Sequence, residues 1–361
     1  MTCFLLGKFM KKIIAAIVPG LLTFGHAYAQ SSVTLYGVVD TSVLYQNHAN
    51  PSGGHLIQMT DGAVNASRFG LKGNEDLGGG LSTIFDLEGG FQPESGALDS
   101  SNTLFNRHAY VGLQGNWGTV TLGRQDTLFF TTLANYDPLT VGNYYNNSWY
   151  FYQSDARYSN MVKYEGTFHG LYVGASYGLG GQPGSISAGS QAAISLSYTT
   201  GPFSVGGVFS QTHALNNKTQ NIGGIAASYA IGPTTLYVGF SHNDDGSGLT
   251  EEGLTVQPVT VGTADVRRKD TGFFTGAIWQ VKPDIYLTAA YYYDAMRDAY
   301  STAGDDGHRQ SVAFFAQYLL SKRTYVYATA DYNKVQGQAA LVELPGADNQ
   351  FEAGIGLHHS F

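Results

Sequence analysis

Three groups of side chains in this 361-residue chain are of types that could do chemistry. The run Gly174-Ala175-Ser176-Tyr177-Gly178 fits the G-x-S-x-G pattern that presents a nucleophilic serine. That device needs a sharp strand-to-helix turn, whereas Leu171, Val173 and Ala175 alternate through the motif as one face of a strand. A serine inside a strand has no elbow to expose it. Asp305, Asp306 and His308 fall in a stretch that reads as a solvated loop, and the adjacent His358 and His359 point to opposite faces, so they cannot share a metal. No spacing matches a zinc site. The third group is electrostatic: Asp40, Asp86, Glu88, Lys163 and Arg309 recur on the polar side of alternating segments. Such charges are untenable in a dry core, so the interior that holds them must be wet. No catalytic residue, metal ligand or cofactor is expected.

The segments that carry these charges alternate with a period of two. Val33, Leu35, Val39, Val43 and Tyr45 share one face against Thr34, Tyr36, Asp40 and Ser42, and Leu81–Gln92, Ile285–Asp294 and Phe351–Phe361 repeat the pattern. Tight Gly/Pro/Asn turns stand at Glu75–Gly80, Gly115–Gly118, His169–Gly170, Thr200–Pro202, Ile231–Pro233, Lys282–Asp284 and Ser321–Arg323. Each interval between them holds two strands and one longer loop, which gives eight hairpins and sixteen strands. The long connections fall near His48–Gly62, Glu94–Asn106, Thr127–Arg157, Gly180–Gln191, Gln211–Gln220, Asn243–Lys269, Arg297–His308 and Gln336–Asn349. The third differs from the rest. It shows no apolar period of two or of 3.6, yet it carries Phe129, Phe130, Tyr136, Tyr144, Tyr145, Trp149, Tyr150, Phe151 and Tyr152, with Asp137 and Asp155 among them. So many rings need a wall, and the expectation is that residues 127–157 fold inward and narrow a channel.

Composition sets the outer bounds. Lys8, Lys11 and Lys12 precede the apolar run Ile13–Phe24, and Ala27-Tyr28-Ala29 follows in small-x-small form. Residues 1–29 thus read as a cleaved secretory signal peptide, with Met1 and Met10 both possible starts, and residues 30–361 as one domain. The only cysteine, Cys3, would leave with the peptide, so no disulfide contributes. Removing three lysines takes the formal charge from −8 to −11, an acidic excess that argues against nucleic acid. No later stretch is long and apolar enough for a membrane helix. An even number of antiparallel strands, short turns at one end and long loops at the other describe an all-β transmembrane barrel of the outer-membrane kind, with periplasmic turns and extracellular loops. Sixteen strands leave a lumen too wide for side chains to fill.

The motifs SSVTLYGVVD (31–40), SRFGLKGNEDLGGGL (67–81), LFNRHAYVGLQGNWGTVTLGRQ (104–125), LSKRTYVY (320–327) and the ending GIGLHHSF resemble the general diffusion porins of Gram-negative β-proteobacteria, from end to end of the chain. The resemblance implies three barrels per assembly, an outer-membrane lipid and lipopolysaccharide setting, small hydrophilic solutes and ions as cargo, and the third loop as constriction. It also implies basic wall groups at Arg68, Arg107 and Arg157 and an acidic group at Asp137. Parity places Arg68, Lys72 and Arg157 inward on independent grounds. Arg107 and Arg124 carry outward parity, so both are expected past a strand end or at a bulge and bent into the lumen. Asp155 stands with Asp137 among the acids of the third loop, while Asp86 and Glu88 are expected inside the barrel, offsetting part of the positive wall. Opposed arginines and acids then order solutes across the pore, with a modest anion preference. A sugar-selective channel or a surface adhesin is the alternative reading.

Overall fold

The computed structural model describes residues 31–142, 148–254, 266–341, 344 and 347–361. The expected signal peptide, Tyr144 and Tyr145 lie outside the described residues. Strands run in chain order: β1 (Ser32–Gln46), β2 (Leu56–Asp61), β3 (Arg68–Gly78), β4 (Leu81–Gln92), β5 (Ala97–Leu98), β6 (His108–Gly115), β7 (Gly118–Asp126), β8 (Arg157–Phe168) and β9 (Leu171–Gly178). The second half continues with β10 (Gln191–Thr200), β11 (Phe203–His213), β12 (Thr219–Ile231), β13 (Thr234–Asp245), β14 (Arg268–Lys282), β15 (Ile285–Arg297), β16 (Gly307–Leu319), β17 (Thr324–Gly337) and β18 (Asn349–Ser360). Among the described residues two α-helices sit in the long loops, α1 (Leu128–Ala134) and α2 (Leu249–Leu254).

All pairings in the main sheet are antiparallel, and β18 returns to pair with β1, Glu352 opposite Gln46 and Ser360 opposite Val38. β2 pairs with one half of β1 and β3 with the other, so the two are a single barrel strand interrupted at 62–67. β5 pairs only with the tip of β4. The barrel therefore has sixteen strands and no free edge, as membrane burial of a sheet demands. Each of the seven short connections falls at a turn foreseen from Gly, Pro and Asn placement.

Alternation decides which side meets what. Leu196, Ile225, Val238, Phe240, Phe314 and Ile355 point outward and are 46–67 % exposed, a band that only lipid would cover. The same strands turn Ser195, Ser241, Ser311 and Glu352 inward, where they are buried by material inside the barrel. Much of that material is the third long loop. Where the sequence showed no period, the structure has a helix of seven residues, started by Thr127, whose hydroxyl accepts from the Phe130 N–H. Seven residues carry too few turns for a periodic signal to register.

Candidate functional site

The loop 127–156 is closed at its base, Thr127 N–H donating to the Ala156 carbonyl at 2.9 Å and Thr127 Oγ1 to that of Asp155 at 2.8 Å. From there α1 lies against β9, β10, β11 and β12 on their lumenal side. Leu128, Phe129 and Leu133 bury against the inward Val208, Ile222 and Ala226, and Thr132 Oγ1 meets Ser195 Oγ at 2.7 Å. Tyr136 continues to Ser204 Oγ at 2.9 Å. On the return, Tyr150 and Phe151 pack against Phe274 and Tyr292, with centroids 5.3–6.4 Å apart. Trp149 lies under Arg309, whose Cζ is 4.4 Å from its ring centroid. The described parts of the loop thus line the inside of the wall from β9 to β16.

Inward glycines make room for it. A Cβ at Gly272 would come within 2.6 Å of the Tyr150 ring, one at Gly276 within 2.6 Å of Pro138 Cγ, and one at Gly174 within 2.9 Å of Leu128. Their only sequence signal is glycine at inward parity inside strands, where it otherwise weakens pairing. Arg268 and Arg309 form a latch that residue order does not reveal. Both are almost wholly buried, Arg268 bonding Asp270 at 2.8 Å and Glu251 of α2 at 3.4 Å, Arg309 bonding Asp294 at 3.1 Å. Glu251 also accepts from the Tyr300 N–H at 3.0 Å, so an acid of a long outer loop is drawn inside.

The facing wall, β3 to β8, holds the basic groups. Glu88 pairs with two guanidiniums, Arg107 Nε at 2.5 Å and Arg68 Nε at 3.6 Å. Arg157 Nε pairs with Asp126 at 3.0 Å, and His108 spans Asp86 at 3.3 Å and Asp126 at 3.1 Å. Tyr36 donates to Asp86 at 2.7 Å and Glu88 at 3.0 Å, and Lys72 Nζ stands 5.1 Å from the Tyr36 ring centroid. Arg107 precedes the first residue of β6 and so escapes the outward parity of Ala109. Asp126 and His108 join the cluster without having been singled out.

Two expected placements need correcting. Arg124 does not bend into the lumen. It sits opposite Ala109 on the outward face beside a register shift, donating to the Asn106 carbonyl at 2.6 Å and to Ser159 Oγ at 3.0 Å near the loop end of the barrel. There the cost of an outward arginine is small. Asp137 does not face the passage: it is 3 % exposed, accepting from the Tyr292 hydroxyl of β15 and from the Val141 N–H at 2.6 Å. Burial pushes its carboxyl up to about 6. Asp86 and Glu88 need no such correction: they lie on the wall of the arginines, where acids and bases interleave. Asp155 is exposed at the base of the loop, where its carbonyl accepts from Thr127. Among the described residues no group of three or more His, Cys, Asp or Glu could hold a metal.

A sequence model of the family described as Gram-negative porin matches residues 15–338. An outer membrane porin protein of Bordetella pertussis is 30% identical over 400 residues, covering 98% of this chain and 100% of that protein. Outer membrane porin protein 32 of Delftia acidovorans is 42% identical over 128 residues, 36% of this chain and 35% of the relative. Among solved structures, an anion-selective porin from Comamonas acidovorans superposes with a TM-score of 0.73 at 25% identity, covering 92% of this chain and 100% of that one.

Proposed function

The chain belongs to the Gram-negative porins, and from that premise we propose how its passage sorts the small hydrophilic solutes that such outer-membrane channels pass without chemistry. Solutes move between two unlike surfaces: the loop 127–156 on one side, and the wall of Arg68, Arg107 and Arg157 on the other. The preference is for anions. What carries this reading is Glu88, one carboxylate shared by two guanidiniums and only 5 % exposed, so that the basic groups outreach the acid behind them. A positive surface in a narrow wet passage raises the local concentration of anions. The anion-selective neighbour from Comamonas acidovorans supports the same sign.

We also propose a trimer, with the remaining outer face toward lipid and lipopolysaccharide. The outer faces of β14 to β17 form an apolar depression of about 490 Å³, floored by Ala277, Ala289, Ala316, Ala328 and Ala330. Small residues allow the close approach of another barrel. The test for selectivity is the zero-current potential of the protein in planar bilayers across a potassium chloride gradient. An anion-selective sign is expected, moving toward the cation side in R107Q and further in R68Q/R107Q; a cation-selective wild type overturns the reading.

A further inference from the structure

Where the loop approaches the basic wall, the Arg157 guanidinium stands over the Phe130 ring. The buried face of α1 is formed by Leu128, Phe129, Thr132 and Leu133, and Phe130 lies outside it, partly exposed. Arg157 Cζ lies 6.0 Å from the Phe130 ring centroid. Tyr152 closes the corner, its ring set edge-on to Phe130 at 5.8 Å and 38 % exposed. Both rings leave apolar surface open to a wet lumen, although Tyr150 and Phe151 of the same loop are fully buried.

Arg157 beside them, and Arg107 on the same wall, are held on one side only. Arg107 is engaged through Nε by Glu88, and Arg157 through Nε by Asp126. Among the described residues no hydrogen bond engages the Nη1 and Nη2 groups of either. Their outer edges are the forked donors that match a carboxylate in two-point fashion.

We propose that the passage favours flat aryl carboxylates among small anions, the carboxylate meeting the Nη edges of Arg157 and Arg107 while the ring lies against Phe130 and Tyr152. The inference rests on the anion reading above and adds the solute class. An aliphatic acid of equal charge and similar size would meet the same arginines but lack the ring-on-ring contact.

The experiment measures block of chloride current through the whole protein in planar bilayers, with benzoate and cyclohexanecarboxylate as the two probes. Benzoate is expected to half-block at a concentration about three- to tenfold lower, the range that an aromatic pair contributes. The difference is expected to vanish in F130L/Y152L, whose insertion as conducting channels shows that it folds. Equal block by the two acids in the wild type overturns the inference, as does a preference that survives in F130L/Y152L. The potassium chloride potential reads separately: a cation-selective sign overturns the anion reading, whereas an anion-selective sign with equal block overturns only the aryl preference.

Discussion

Asp137 shows how far a side chain's environment can depart from its place in the sequence. It lies in the loop inside the barrel, yet it is buried against the wall and held by the Tyr292 hydroxyl and the Val141 N–H. Burial disfavours its charged form and pushes the carboxyl from 3.8 up to about 6. The folded state therefore holds this proton more tightly than the unfolded chain does. Its contribution to stability is fully present below pH about 4 and is lost as pH rises through about 6, a difference of about 3 kcal/mol. Thermal melting of the wild type at pH 4 and pH 7.5 is expected to show a lower midpoint at the higher pH, with the step reduced in D137N. A wild-type midpoint that rises over this interval contradicts the assignment. The arginines behave otherwise: parity placed Arg68 and Arg157 inward, but their pairing with Glu88 and Asp126 was not readable, because those partners lie on other strands.

The third loop is held by shape as much as by bonds. Leu128, Pro138 and Tyr150 fill the gaps left by Gly174, Gly276 and Gly272, and its return limb is pinned where Trp149 meets Arg309. In G272V the new side chain would collide with the Tyr150 ring. The expected result is a loss of about 1–3 kcal/mol and a displaced loop, read as increased single-channel conductance. Unchanged conductance would mean that this part of the loop does not limit the passage. R309Q removes one partner from a buried network and is expected to cost about 3–5 kcal/mol in denaturant unfolding. Aromatic density marked this loop as an inward element. Its helix was illegible, since α1 spans only seven residues and is specified largely by what it packs on.

The barrel as a whole depends on two solvents, lipid outside and water within. Val238 is 55 % exposed on the outer face near the middle of β13. V238R is expected to cost about 2–4 kcal/mol in vesicle-based unfolding, the penalty for arginine at the bilayer midplane. A cost near zero would place Val238 away from hydrocarbon. Closure is made by β1 and β18, and the last residue takes part: Phe361 N–H donates to the Gly37 carbonyl at 3.1 Å, and the Gly37 N–H returns a bond to Phe361 at 3.3 Å. A closed sheet leaves no backbone edge for lipid to meet.

Strand number, turn positions and the sidedness of each strand could be read from residue order because they arise from local causes. Side chains alternate every residue, glycine and proline break strands where they stand, and lipid and water select opposite faces. Which charges meet, and which way the third loop presents its rings, could not be read that way. Asp137 finds Tyr292 across 155 residues and Tyr150 finds the Gly272 carbonyl across 122. Contacts at that separation exist only once the barrel has closed and brought its two walls to a common interior.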